Sequence, residues 1–247
     1  MVHQLSLVSS IPHSQYLQTI SSFKVLTGLL QPQPISTYSI LTKPNHIFKP
    51  KFEPGKINQI EQYYMKCNTT WSDTDIDLNN PIIKEDNIIV SKLFTNDGEN
   101  ERVWTLNISD IPIAGKNQQV CQQQIYESTL IHTSDSFLTF LLDLGYEVKN
   151  QYWLKGIRFF YGDIIIEIYK VFIRDDQDGE GIDGIKLKLL DESNQFQIKC
   201  YINIKNSTEI ESINSGIKEL VKLQEYLKNL FILEIPDRMY MDSRLKQ

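Results

Sequence analysis

The sequence has few cysteines and none in a pattern typical of a disulfide scaffold or a metal site. Cys67, Cys121 and Cys200 are odd in number, far apart and without C-x-x-C spacing, so we expect neither a disulfide framework nor a zinc site. The four histidines show no H-E-x-x-H spacing. The sequence predicts a chain from a reducing compartment that needs no metal or other cofactor.

Long apolar runs and an excess of basic charge are also missing. No stretch approaches the roughly 18 apolar residues of a membrane span, and no basic start precedes an apolar run at the N-terminus. We therefore expect a protein that is neither secreted nor embedded in a membrane. The formal net charge of -6 argues against direct nucleic-acid binding, because phosphate neutralisation requires clustered Lys and Arg.

One local group of lysines departs from this acidic balance. Lys43, Lys49, Lys51 and Lys56 lie among prolines in a segment with turn signals. Two interpretations stay open: a solvated hairpin rim, or a surface that meets an acidic protein partner.

Motifs of catalysis are absent as well. The chain contains no G-x-S-x-G elbow, G-x-x-x-x-G-K-[ST] loop or G-x-G-x-x-G turn. Glu167 stands alone between Ile165 and Tyr169, so no carboxylate pair is predicted on that strand face. The run 176–181 imitates the start of a calcium loop, but Leu187 occupies the position of the required Glu. We predict no catalytic and no metal-binding residue.

What the sequence does contain is a pattern of many strands. With 247 residues, 41% of them hydrophobic, the chain can bury a sizeable core as one large or two small domains. Segments 14–27, 136–144 and 210–230 predict helices, and 65–86 is expected to be irregular. The predicted strands are 2–8, 35–42, 88–94, 102–108, 124–133, 151–161, 163–174, 185–190 and 196–204.

This order favours an α+β, mainly β architecture, an antiparallel β-barrel with about three flanking helices. The hairpin 151–174 is apolar on both faces, with Ile164, Ile166 and Ile168 on one side and Ile165 and Tyr169 on the other. It should therefore be covered twice, by a barrel interior and by a helix or another chain.

The last helix and the segment after it carry specific signals. Thr208 and Glu211 predict a capping box, and Gly216 inside the helix suggests close approach of another backbone. Residues 235–244 interleave apolar and charged side chains, which is typical of a docked terminus rather than a disordered one. We expect Asp237 with Arg238, and Asp242 with Arg244, to hold it by ion pairs.

Ordered sequence blocks resemble the Mediator of RNA polymerase II transcription subunit 18 family. The resemblance covers most of the chain and thins over residues 45–100. Its blocks are Met1 to Leu7, Trp104 to Gly115, Leu144 to Tyr146, Gly156 to Phe160, Tyr201 to Asn203, and the terminal Pro236-Asp237-Arg238 and Met241-Asp242-Ser243-Arg244.

This resemblance implies a single domain, residues 1–247, whose barrel is similar to that of the triphosphate tunnel metalloenzymes. It implies a non-enzymatic nuclear coactivator subunit of the Mediator head module. The subunit would pair with Mediator subunit 20, receive a C-terminal helix from Mediator subunit 8, and meet the RNA polymerase II initiation machinery through the assembled module.

Two further expectations follow. We expect Ser22, Phe23 and Leu26 of the first helix to contribute to contact with the second barrel, because that helix has few ways to be covered. The alternative function is a diverged tunnel-type phosphohydrolase, although no E-x-E-x-K run occurs. It requires carboxylates and basic residues converging inside the barrel, and a lumen lined by Ile and Phe would exclude it.

Overall fold

The computed structural model describes residues 1–46, 51–53, 56–58, 62–70, 102–115, 117–132, 136–175, 187–205 and 208–245. The helices are a short 3-10 turn His13–Gln15 followed by α1 Tyr16–Thr27, α2 Phe137–Asp143, α3 Ile210–Leu227 and α4 Arg238–Met241. The strands are β1 Val2–Pro12, β2 Gln33–Pro44, β3 Lys51–Glu53, β4 Lys56–Asn58, β5 Met65–Thr70, β6 Arg102–Ser109, β7 Cys121–His132, β8 Tyr146–Tyr161, β9 Ile164–Arg174, β10 Leu187–Leu189 and β11 Gln195–Ile204.

Eight strands close into an antiparallel barrel. The order β9-β11-β1-β7-β6-β5-β2-β8 returns to β9, β10 adds to the end of β9, and β3 and β4 form a separate ribbon. Closure removes the exposed strand edges that an open sheet of this size would carry. The predicted mainly β barrel is confirmed.

Alternation along the strands separates an apolar outer face from the interior. Ile164, Ile166 and Ile168 of β9 pack in one cluster with Phe23 of α1 and Leu220 of α3. Since these residues lie under helices, the residues between them face the barrel interior. The prediction that this hairpin is covered on both faces is confirmed, and helices of the same chain cover its outer face.

A second cluster lies under α2. The ring of Phe137 stacks on Trp104 with centroids 3.8 Å apart and planes 5° apart, and Tyr38 packs against both Trp104 and Trp153. Aromatic pairs of this kind add to the free energy gained by burial alone. They fix α2 against β2, β6 and β8.

Helix α1 follows its sequence signals closely. It begins after the turn that follows Pro12 and ends where Gly28 adopts a left-handed φ of 71°. A glycine takes this conformation without the steric penalty that other residues meet.

The predicted capping box of α3 is wrong. Glu209, rather than Thr208, is the N-cap, and its carboxylate accepts a hydrogen bond from Ser212 Oγ at 3.0 Å. The expected close approach at Gly216 is found, but to a side chain: a Cβ there would lie 2.8 Å from Leu5 Cδ1.

Residues 65–70, predicted to be irregular, form strand β5. Its sequence is polar, but β5 pairs with β2 on one side and β6 on the other, and Ser39 Oγ donates to Asn68 Oδ1 at 2.8 Å. Neighbouring strands override weak local propensity here. The predicted strand 88–94 and the calcium-like run 176–181 lie outside the described residues. Across the described part of the chain, no helix is long and apolar enough to span a membrane.

Candidate interaction surfaces and the barrel interior

A network of polar side chains around Glu167 faces the barrel interior. Arg158 lies directly across the β8–β9 pairing from Glu167 and donates to its Oε1 through Nε at 2.9 Å and Nη2 at 2.5 Å. Tyr201 OH donates to the same oxygen at 3.1 Å. The Glu167 carboxylate is thus held by a cation and a phenol.

Lys199 is a further charged residue of the interior. Its Nζ donates to Gln4 Oε1 at 2.7 Å, and Gln4 in turn donates to Asn203 Oδ1 at 2.9 Å. Burial disfavours the charged amine and lowers the pKa of Lys199 to about 8, against the opposing field of Glu167. Burial likewise raises the pKa of the Tyr169 phenol to about 12.

This interior differs from a lumen lined by Ile and Phe, because Glu167, Arg158, Lys199 and Tyr201 lie in it, whereas Ile164, Ile166 and Ile168 lie on the outer face. It supplies basic groups, as a phosphohydrolase would need, but among the described residues no second carboxylate converges on Glu167. Within the described residues, no three His, Cys, Asp or Glu side chains lie close enough to hold a metal ion. Glu167 already accepts from Arg158 and Tyr201, so the network serves as a satisfied polar core.

The C-terminal segment 237–245 docks at one end of the barrel. Tyr64 N donates to Ser243 O at 2.7 Å, and Leu245 N donates to Gln62 O at 2.8 Å. Ser243 Oγ donates to Ser109 O, and Gln123 Nε2 donates to Met241 O at 3.2 Å. The segment therefore joins the chain ahead of β5, the end of β6 and the start of β7.

One of the two predicted terminal ion pairs forms. Arg244 binds Asp242 through Nη2 to Oδ2 at 2.7 Å and Nε to Oδ1 at 2.9 Å. These hydrogen bonds lower the pKa of the Asp242 carboxyl to about 2, with a smaller contribution from Arg238. Asp237 instead caps α4, accepting from Met239 N at 2.9 Å, and it follows the half-buried Pro236.

On α1, the three predicted partner-binding residues have different environments. Phe23 is 0% exposed and packs against Phe159 and Phe231, so its side chain belongs to the core rather than to a surface. Ser22 is half-buried and donates to Gln18 O at 3.0 Å, and Leu26 is half-buried against the same core.

The surface of α1 has apolar residues that the sequence reasoning missed. Val25 is 86% exposed, and Leu30, just beyond the helix, is 79% exposed. The sequence did contain a signal for Val25, because it is an apolar residue that lies outside the apolar stripe of the helix that includes Phe23. An exposed apolar pair beside Ser22 and Leu26 is typical of an interaction surface.

The comparisons with known proteins agree with this architecture. Residues 3–244 match the family model described as Med18 protein. The chain is 51% identical over 351 residues to Mediator of RNA polymerase II transcription subunit 18 of Candida albicans, covering 100% of both chains. It is 47% identical over 345 residues to the protein of the same name from Scheffersomyces stipitis, covering 100% of this chain and 99% of the other.

A solved structure shares the fold. A chain in the structure of the Schizosaccharomyces pombe Mediator head module superposes with a TM-score of 0.68 at 15% sequence identity. The match covers 98% of this chain and 100% of that chain. At this identity the similarity establishes a common fold.

Proposed function

The chain belongs to the Med18 protein family, and from that membership we propose that it serves as a non-enzymatic subunit of the Mediator head module in the nucleus. The observation that carries this proposal is the family match over residues 3–244. The subunit acts as a scaffold in RNA polymerase II transcription initiation, and its work is binding rather than chemistry.

The polar interior supports a role without catalysis. The interior carboxylate of Glu167 already accepts hydrogen bonds from Arg158 and Tyr201. The three cysteines are buried, and burial raises the pKa of Cys67 to about 12, which keeps that thiol protonated and unreactive. No group in this set is poised as a nucleophile or as a metal ligand.

We propose two partners for the outer surface, Mediator subunit 20 and the C-terminal helix of Mediator subunit 8. Ser22 and Leu26 contribute to the contact with the barrel of subunit 20, together with the exposed Val25. Phe23 supports this contact indirectly, because its packing against Phe159 and Phe231 holds α1 on the barrel. Burial of exposed apolar residues supplies most of the affinity in interfaces of this kind.

Co-expression with Mediator subunits 8 and 20, followed by size-exclusion chromatography, tests the assembly. We expect one co-eluting complex at micromolar concentration, and separate elution of the three chains would refute the proposal.

Paired variants then test the position of the contact. Ser22→Asp combined with Val25→Asp should release subunit 20 while the far-UV circular dichroism spectrum stays unchanged. Ile210→Asp, at a position 71% exposed on α3, is the matched control and should retain the complex. If the α1 variant still bound subunit 20, the interface would have to lie elsewhere on the chain.

We also propose that residues 1–247 form one domain. β8 contributes Ile157 and Phe159 to the cluster under α1 and α3, and Trp153 to the cluster under α2. Because one strand joins both clusters, urea should unfold them in a single transition seen equally by tryptophan fluorescence and circular dichroism. Two separate transitions would argue for two domains.

A further inference from the structure

The outward face of α1 is uncharged at its centre. Its exposed residues are Leu17, Gln18, Ser21 and Val25, which helical spacing places on the side away from the buried Phe23. None of the exposed residues between positions 12 and 34 is charged, although 23% of the whole chain is. Lys24, the one charged residue of α1, is half-buried and lies at the border of this face.

The two serines of this face already use their hydroxyl donors within the helix. Ser21 Oγ donates to Leu17 O at 2.8 Å, and Ser22 Oγ donates to Gln18 O at 3.0 Å. Burying a hydroxyl is costly mainly when its donor loses its partner. Both serines can therefore lose their surrounding water and keep these hydrogen bonds, so the face behaves as a largely apolar one.

Exposed aliphatic side chains complete the surface. Leu17 is 53% exposed and Val25 is 86% exposed, and Leu30 follows just beyond the end of the helix. Helices that bind a lipid surface carry several Lys or Arg residues on their polar side. Because α1 has Lys24 alone and its other side lies in the barrel core, these residues fit a protein surface better than a membrane.

We propose that the α1 face selects its partner by the absence of charge. The surface of Mediator subunit 20 that covers it is apolar and uncharged, and the contact excludes water. This inference rests on the proposed function and extends the contact through Ser22, Val25 and Leu26 to Leu17, Gln18 and Ser21. A charged side chain at this contact would lose its water and meet no opposite charge, which disfavours other partners.

Opposite charges introduced at one position test the proposal. Ser21→Lys and Ser21→Glu should each raise the dissociation constant of the complex with subunit 20 by about tenfold or more, measured by isothermal titration calorimetry. Both signs should weaken binding, because either charge would lose its water without gaining a partner. Tighter binding by one of the two variants would reveal a charged partner surface and overturn the proposal.

Ser21→Ala tests the role assigned to the hydroxyl. Its donor serves the helix rather than the partner, so this variant should bind within about twofold of the unaltered protein. A tenfold loss of affinity would show that the hydroxyl bonds to the partner, and it would overturn the proposal.

Salt separates loss of hydration from repulsion between charges. The weakening caused by Ser21→Lys and Ser21→Glu should persist between about 0.05 M and about 0.5 M NaCl, because salt screens charge repulsion but does not restore lost hydration. Recovery of affinity at the higher concentration would overturn the proposal.

Matched variants control for the total charge. Asn214→Lys and Asn214→Glu make the same changes at an exposed position on α3 and should bind like the unaltered protein, with circular dichroism verifying that all variants are folded. Equal weakening by the variants at positions 21 and 214 would overturn the proposal.

The remaining outcomes distinguish this inference from the proposed function. If the unaltered protein forms no complex with subunit 20, both fail. If the complex forms and both charged Ser21 variants bind normally, the inference alone fails. Sedimentation of the isolated chain with phosphatidylserine-containing vesicles, or its dimerisation in a form that Ser21→Lys abolishes, would assign the α1 face to a lipid surface or to a second copy and would overturn the inference.

Discussion

Tyr169 lies directly across the β8–β9 pairing from Gly156, so close that a Cβ at position 156 would lie 2.6 Å from Tyr169 Cα and 2.0 Å from the carbonyl oxygen of Ile168. The glycine is therefore required by close contact between two backbones. Because backbone atoms cannot move aside as a flexible side chain can, any side chain at this position forces the two strands apart.

The first prediction concerns this contact. Gly156→Ala should lower the free energy of unfolding by at least about 3 kcal/mol, at the upper end of single-substitution effects. Gly115→Ala is the matched control, because nothing lies within 4 Å of a Cβ there, and it should change stability little. Urea denaturation measures both, and equal stability of the two variants would contradict the close contact.

The second prediction concerns the Asp242–Arg244 pair. Asp242→Asn should lower the free energy of unfolding by about 1 kcal/mol at pH 7, since the pair is bidentate and partly shielded. Glu225→Gln, in the exposed pair with Lys228, serves as the control and should have almost no effect.

The pH dependence of the same pair has a definite sign. The pKa of Asp242 is lowered to about 2 in the folded chain, below its ordinary value of about 4. Its stabilising contribution is therefore complete above about pH 4 and is lost as the pH falls from there toward 2. The difference in stability between the unaltered protein and Asp242→Asn should shrink over this range, and a constant difference would refute the assignment.

The third prediction concerns the docked terminus. Truncation after Leu233 removes the reciprocal hydrogen bonds of Glu234 with Val8 and the bonds of Ser243 and Leu245 to residues 62–64. We expect the melting temperature to fall by roughly 5 °C or more. Truncation after Leu245 keeps all of these bonds and should melt like the full chain. A melting temperature unchanged by the longer deletion would refute a structural role for the segment.

The fourth prediction concerns His13. Lys170 Nζ lies 3.0 Å from His13 Nδ1 and 4.3 Å from the centre of the Phe196 ring, on which His13 also stacks. Burial and the charge of Lys170 lower the pKa of His13 below its ordinary value of 6.5. Between that lowered pKa and about 6.5, the unfolded chain binds more protons than the folded one, so stability falls as the pH falls through this range.

Chemical denaturation at pH 7.5 and pH 5.5 measures the His13 effect. His13→Asn removes this titrating group, so it should reduce the loss of stability between the two pH values. The same loss in the variant and in the unaltered protein would exclude His13 as the cause.

Local patterns were enough to predict some elements. The apolar spacing from Leu17 to Leu26 and the stop at Gly28 predicted α1, and turn chemistry at Gly162 and Asp163 predicted the central hairpin. The mixture of apolar and charged residues in 235–244 predicted an ordered terminus. These patterns depend on residues close together in the sequence, so they can be recognised without knowing the fold.

Other features depend on partners distant in sequence. β5 has a polar sequence and is a strand because β2 and β6 flank it. Phe23 was expected at an interface and lies in the core because Phe231, far along the chain, closes over it. Asp237 caps α4 instead of pairing with Arg238, because its carboxylate accepts a hydrogen bond from the backbone N–H of Met239.

The sequence by itself determined the mainly β class, the expectation of a barrel and the family resemblance. These depend on apolar periodicity and on the order of motifs, both of which can be recognised without the fold. Only the tertiary structure decided which face of each strand points inward. Closure of eight strands placed Ile164, Ile166 and Ile168 under the helices and gathered Arg158, Glu167, Lys199 and Tyr201 inside. Among the described strands, it also left residues 146–152 of β8 paired with β2 alone, because β8 and β9 separate beyond Trp153 and Phe172.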